Sequence, residues 1–262
     1  MLNDFKNMEV LITGGTRGIG LATALEFARL GAQCTLTYSW GSVEEDEVLR
    51  NFAGCDRQPR LIQADVSDAG ETENLFDELL THSEKLDVLC SNVALSAAAR
   101  SIDDYDLRAL LKSIEYTTWP MVSYVKKSIE KFSVPPRYVL GYSCPGPDYF
   151  FMNYDIVALC KSAMETVSRY LTHRLFDQDC HINVIRTEWV DTESSRGIFD
   201  EGTFEFADKY FPECIVEVQD VAKASVAMCS GLMDAVRGQV INIDHGSRFF
   251  QNAMFMYDES RF

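Results

Sequence analysis

No run of 18 apolar residues occurs in this 262-residue chain, nor any CxxC pair, His/Cys cluster at ligand spacing, or basic stripe. Each absence removes a class of function. Without a long apolar run, nothing here is expected to span a bilayer. The eight cysteines at 34, 55, 90, 144, 160, 180, 214 and 229 are scattered. They are expected as free thiols, several of them packed as small hydrophobes, in a reducing, cytoplasmic setting and without a metal site. The charge balance is the reverse of a nucleic-acid binder's: 40 acidic residues against 24 basic, net −16, which favours solubility and argues against a polyanionic partner. An acidic carrier protein would need a local basic patch, for which Lys126, Lys127 and Lys131 are the candidates. The opening MLNDFKNMEV carries charges and leads directly into a strand, so no targeting segment is expected there. Linkers rich in Pro, Gly or Ser and internal repeats are also missing, which points to one domain over 1–262.

What is present is an alternation of short β-rich apolar runs with longer stretches at helical spacing. That is the pattern of parallel strands joined by crossover helices. Strands are expected at 9–13, 33–38, 60–64, 86–91, 137–143, 182–186 and 239–243, and helices at 18–30, 70–84 and 153–176. Between the fourth and fifth strands, Leu107, Leu111, Ile114, Met121, Val125 and Ile129 recur at helical spacing. Pro120 predicts a kink or break within that stretch. The expected fold class is α/β, a Rossmann-type doubly wound parallel sheet of seven strands with helices on both faces. Residues 187–218 depart from the pattern. They are charged, aromatic and irregular, and they stand where such a sheet places a lid over its ligand.

Between the first strand and first helix lie Gly14, Gly15, Thr16, Arg17, Gly18, Ile19 and Gly20. Glycines let a backbone turn tightly against a pyrophosphate, and the helix start supplies free N–H groups and the positive end of its dipole. Gly14, Thr16, Arg17, Gly18, Ile19 and Gly20 are therefore candidate cofactor contacts. The Arg17 guanidinium is suited to a 2′-phosphate. The second strand ends near Ser39, where an acidic residue would favour the free ribose of NAD. Together these favour NADPH over NADH.

In NYDIVALCKSAME, Tyr154 precedes Lys161 by seven residues. On a helix that is two turns, so phenol and ammonium share a face: a proton donor beside a cation that can hold a ribose.

TGGTRGIG resembles the TGxxxGxG turn of the short-chain dehydrogenases/reductases, and the chain is similar to that family over nearly its whole length. Ala64-Asp65-Val66 matches the segment bordering the adenine, and Asn92 in SNVA stands where the family has NNAG. Val190-Asp191-Thr192 matches the segment on the nicotinamide side, and GQVINIDHG at 238–246 resembles the closing strand. The resemblance implies cofactor contacts at Asp65, Val66, Asn92, Lys161, Val190 and Thr192. The family's YxxxK signature would put its tyrosine at 157, where this chain has Val157. The longer spacing resembles instead the divergent enoyl-acyl-carrier-protein reductases, in their NADPH-dependent subset. A physical reason accompanies it. In enoyl thioester reduction, hydride lands on the β-carbon and charge gathers on an oxygen further along. A donor moved three residues along a helix moves by about 4.5 Å, the right scale for that.

The family's catalytic serine falls on Cys144, with Ser143 beside it, and both are candidate catalytic residues. Ser113 is near the family's helix-four asparagine, and Thr187-Glu188 replace its Pro-Gly. Glu188 is expected to face solvent or to meet Arg186 or a substrate group, and Lys161 to lower the pKa of Tyr154. The implied activity is NADPH-dependent reduction of an enoyl thioester, small or carrier-protein-bound. Its acyl chain is expected among the lid aromatics with Tyr149, Phe150 and Phe151. Alternatives are a ketoreductase of a polyketide-like pathway and a non-catalytic NADP-binding protein. The family also implies a homodimer or homotetramer built on 104–131, 153–176 and 238–246, with the aromatic tail from Ser247 covered by a neighbour.

Overall fold

A computed structural model describes residues 3–39, 43–95, 97–199, 201–249 and 254. The sheet is set by strands that are apolar on both faces. β1 (Glu9–Ile12), β2 (Gln33–Tyr38), β3 (Arg60–Gln63), β4 (Val88–Ser91), β5 (Tyr138–Ser143), β6 (His181–Thr187) and β7 (Val240–Ile243) pair in parallel. Their order is β3-β2-β1-β4-β5-β6-β7. Parallel strands need crossovers, and the crossovers put helices on both faces, so alternate residues of one strand enter different cores. Val10 and Ile12 pack with Phe27 and Leu36 on one face, whereas Leu11 packs with Phe76, Tyr124 and Met164 on the other. The strand order reverses between β1 and β4, which opens the crevice that doubly wound sheets use for ligands.

The helices are α1 (Gly18–Arg29), α2 (Glu45–Asn51), α3 (Ala69–His82), α4 (Leu107–Thr117), α5 (Trp119–Phe132), α6 (Asp155–Arg174), α7 (Glu193–Arg196), α8 (Glu201–Tyr210) and α9 (Val218–Met228). The break expected from Pro120 falls at Thr118, and the proline sits in the first turn of α5, where a missing N–H costs nothing. Outside the 187–218 segment, two helices were not anticipated. Polar α2 buries only Val48, and α9 packs along α1. The segment 187–218 is more regular than expected. It contains α7, α8 and a short 3₁₀ turn at Pro212–Cys214, and a parallel bridge between Trp189 and Ile215 ties its ends.

Lys126, Lys127 and Lys131, the candidates for a local basic patch, are already engaged. Lys127 is paired with Glu73 and Glu130, Lys131 with Glu73 and Asp77, and Lys126 lies 6.0 Å from the Trp119 ring. Acidic residues of α3 face α5 and cancel its charge. Among the described residues no helix is long and apolar enough to cross a membrane, and no His/Cys/Asp/Glu group is arranged to hold a metal. All eight cysteines are free. Most of the aromatic tail lies outside the described residues.

Candidate active site

A cavity of about 930 Å³ follows the carboxyl ends of the strands, within the range of small-molecule sites. One half of it is built on the β1–α1 turn. Gly14 has φ +62°, which a side chain would strain. A Cβ on Gly20 would lie 2.4 Å from the Gly14 carbonyl oxygen, so α1 can start this close to the turn only with glycine there. Asn92, from the end of β4, braces the same turn. Its Nδ2 donates to the carbonyls of Thr13 and Gly14 at 3.0 Å, and its N–H donates to the Thr13 hydroxyl at 2.9 Å. Gly14, Thr16, Arg17, Gly18, Ile19 and Asn92 line the cavity, whereas Gly20 stands behind the turn as its close-packing residue.

Arg17 caps α1 by position and reaches across to Glu193 of α7 at 2.6 Å, both side chains being largely exposed. Ser39 lines the cavity and donates to Asp65 at 3.1 Å. Asp65 also accepts from the Ser67 N–H and hydroxyl and from the Tyr116 hydroxyl. Burial alone would raise its pKa, but these donors hold the carboxyl below its ordinary value. Asp65 is occupied by this knot, and it is Val66 that borders the cavity. The turn, the helix start and the contact that any Cβ would fill suit a pyrophosphate-bearing dinucleotide.

The other half gathers on β5, β6, α6 and the 187–218 segment. Tyr154 is not within the helix as its spacing implied; it is the residue before α6, and its carbonyl accepts the Ala158 N–H at 2.8 Å. Lys161, buried, donates to the Tyr142 carbonyl at 2.6 Å, and burial lowers its pKa. Tyr154 and Lys161 both line the cavity. The expected lowering of the Tyr154 pKa does not occur. Burial, and then the neighbouring Cys144 thiol to which the hydroxyl is bonded, push it well above the ordinary phenol value. Tyr154 is therefore a neutral phenol, a donor rather than a tyrosinate. Burial likewise raises the Cys144 thiol, against the pull of Lys161.

Ser143 borders the cavity, yet its hydroxyl is committed inward, donating to Glu165 at 2.6 Å. Arg186 holds Glu165 bidentately, Nε to Oε1 at 3.0 Å and Nη2 to Oε2 at 2.6 Å, with both residues buried. Its remaining nitrogen meets Asp148, which also holds Arg248. This network was missed in the sequence, where Glu165 and Arg186 stand 21 positions apart with no local signal. Ser113 is buried, and among the described residues its hydroxyl has no hydrogen-bond partner.

An aromatic wall closes this half. Tyr154 and Phe199 stack at 5.5 Å and 9°, Phe199 and Trp189 at 5.7 Å and 20°, and Phe151 and Phe204 join them. Of the three aromatics expected before α6, only Phe151 takes part. Phe150 is 86% exposed, and Tyr149 lies under Arg248. Val190 and Thr192 line the cavity; Thr192 caps α7 in a reciprocal pair with Ser195.

A glycine turn at the switch point of a parallel sheet, with a tyrosine and a buried lysine across the same cavity, defines a dinucleotide-dependent oxidoreductase. The comparisons make this particular. Residues 14–248 match the family model described as enoyl-(acyl carrier protein) reductase, and the chain belongs to the short-chain dehydrogenases/reductases. It is 23% identical over 246 residues to the trihydroxynaphthalene reductase of Colletotrichum orbiculare, covering 89% of this chain and 87% of that one. A short-chain dehydrogenase from Burkholderia cenocepacia, solved in complex with NADP, superposes with a TM-score of 0.81 at 21% identity, over 94% of this chain and 100% of the other. The NADH enoyl-acyl-carrier-protein reductase of Aquifex aeolicus does so with a TM-score of 0.83 at 21% identity, over 95% and 99%.

Proposed function

We propose that the protein is an NADPH-dependent ketoreductase of hydroxylated aromatic, polyketide-type substrates, with Tyr154 as the proton donor. The observation that carries this reading is the make-up of the substrate half. Phe151, Trp189, Phe199 and Phe204 surround a neutral phenol, and a carboxyl, Glu188, lines the same space. Flat rings find apolar area there, whereas a long acyl chain would lie against an unpaired carboxyl. Relatives named as naphthalene reductases support the same substrate class. NADPH supplies hydride to the carbonyl carbon when bound. Tyr154 protonates the oxygen, and buried Lys161, held at the Tyr142 carbonyl, is placed for the ribose hydroxyls. Arg17 is exposed enough to exchange Glu193 for a 2′-phosphate, and Ser39 puts no carboxylate at the ribose.

A second reading is conjugate reduction of an enoyl thioester. It is favoured by Tyr154 standing seven residues before Lys161, with Val157 where the usual tyrosine would be. A second copy of the chain is the proposed partner in either case. Leu107 and Leu111 on α4 and Leu159 and Tyr170 on α6 are exposed apolar residues one helical face apart.

NADPH and NADH oxidation with a hydroxylated naphthalenone, acetoacetyl thioester and crotonyl thioester tests the reading. Turnover of the ketones with NADPH, falling roughly 10²–10⁴-fold in Tyr154→Phe, is the expected result. Turnover confined to the crotonyl substrate overturns it in favour of the second reading.

A further inference from the structure

A carboxyl group stands unpartnered where the cavity meets the end of β6. Glu188, half-buried, lines the cavity between buried Thr187 and half-buried Trp189, and among the described residues it has no hydrogen-bond or ion-pair partner. The cations that face it are already occupied. Arg186 is held by Glu165 and Asp148, and Arg248 by Asp148 and Asn242. Asp244, just past β7, faces it with like charge. Burial first, then Asp244, push its pKa up to about 7, with Arg248 and Arg186 pulling the other way. An acceptor partly withdrawn from water with no donor is mildly destabilising to the protein alone. A ligand that brings the donor removes that penalty.

We propose that Glu188 is a specificity residue that accepts a hydrogen bond from a hydroxyl of the bound substrate, so that the cavity selects hydroxylated aromatic rings over their blocked or deoxygenated counterparts. The inference deepens the ketoreductase reading and rests on the cavity being its substrate site. The aromatic wall supplies area that any flat ring can use, so it discriminates weakly between rings of one shape. The carboxyl discriminates strongly. A site built to bond a hydroxyl rejects an analogue lacking it far more sharply than it senses a methylene, because the acceptor is then left buried and unmet. Bonds to a charged acceptor are also stronger than neutral ones. Residue 188 follows the last residue of β6, and the parallel sheet aims that end into the crevice. The carboxyl thus stands directly on the end of β6, at the root of the segment that carries α7 and α8.

The test is equilibrium binding to the NADP⁺-loaded protein, by calorimetry, of a dihydroxynaphthalene and of its dimethoxy ether. Wild type is expected to prefer the diol by roughly tenfold to hundredfold at pH 8. The preference should narrow towards pH 6 as Glu188 takes up its proton. In Glu188→Leu the preference falls below about threefold, and in Glu188→Gln it is intermediate, with NADP⁺ affinity unchanged in both. An undiminished preference in Glu188→Leu overturns the proposal, as does the absence of any preference in wild type. Because binding is measured without turnover, failure of the ketoreductase reading shows separately, as no ketone-dependent NADPH oxidation.

Discussion

The two halves of the crevice are held together by different means. On the β1 side the contacts are made by backbone: a turn folded on its own carbonyls, a glycine against a glycine, and Asn92 bracing two main-chain oxygens. On the β5–β6 side they are made by side chains from remote elements: Ser143, Glu165, Arg186, Asp148 and Arg248 in one chain of hydrogen bonds. Their carboxylates differ in the same sense. Asp65 is fully met and held low, whereas Glu188 is unmet and pushed up to about 7. A half that binds a constant ligand can be finished in the free protein. A half that chooses its ligand keeps a group waiting for it.

The sharpest way to break the side-chain half is to remove one member of its buried pair. Glu165→Gln leaves the buried Arg186 guanidinium with Asp148 as its one carboxylate, shared with Arg248, and replaces an acceptor by an amide donor, which costs roughly 3–5 kcal/mol. Denaturant unfolding should show that loss. Replacing both partners with apolar residues, Glu165→Met with Arg186→Leu, should recover most of it, since an apolar pair carries no desolvation penalty. A double variant as unstable as the single one would mean that the network does more than neutralise itself.

The backbone half breaks differently. Gly20→Ala places a methyl 2.4 Å from the Gly14 oxygen and 2.7 Å from Asn92 Nδ2, so the turn must open. Overpacking of this kind costs about 1–3 kcal/mol. The larger symptom should be a weakening of NADPH binding, read by fluorescence titration, while binding of a dihydroxynaphthalene changes little. Equal loss of both ligands would show that the halves are one cooperative unit.

This difference also decides what the sequence could reveal. Seven strands, the helices α1, α3 and α6 and a break near Pro120 were legible, because periodicity, Pro120 and the glycine turn act on neighbours a few residues away. Helix α2 was not, since a polar helix that buries only Val48 leaves no periodic trace. The pairing of Glu165 with Arg186 was also hidden. It depends on α6 lying across β5 and β6, a tertiary fact that no spacing encodes, and Arg186 was instead weighed as a partner for Glu188. Tyr154 was expected on the face of the helix with a lowered pKa, and the structure departs from both expectations. The hydroxyl is buried beside Cys144, while the Lys161 ammonium is bonded to a carbonyl.

The smallest predicted effect sharpens the contrast between the two carboxylates. Glu188 has a folded pKa of about 7, above its unfolded value of about 4.3. Between those values the folded state binds more protons than the unfolded one, so this group makes stability fall as pH rises through that window and adds no further slope above it. Asp65 has the opposite sign. Its lowered pKa contributes stability that is present above its unfolded value and lost on acidification. Glu188→Gln removes only the first effect. Because the carboxyl borders an open cavity, solvent screening limits the gain to about 1 kcal/mol, or roughly 2–4 °C in Tm for a chain of this size. The Tm difference between variant and wild type should therefore be near its minimum at pH 4.5, widen up to pH 7, and stay level at pH 8. A difference that does not change with pH would mean that Glu188 already has a partner in the free protein, and that the substrate half is as complete as the half that holds the cofactor.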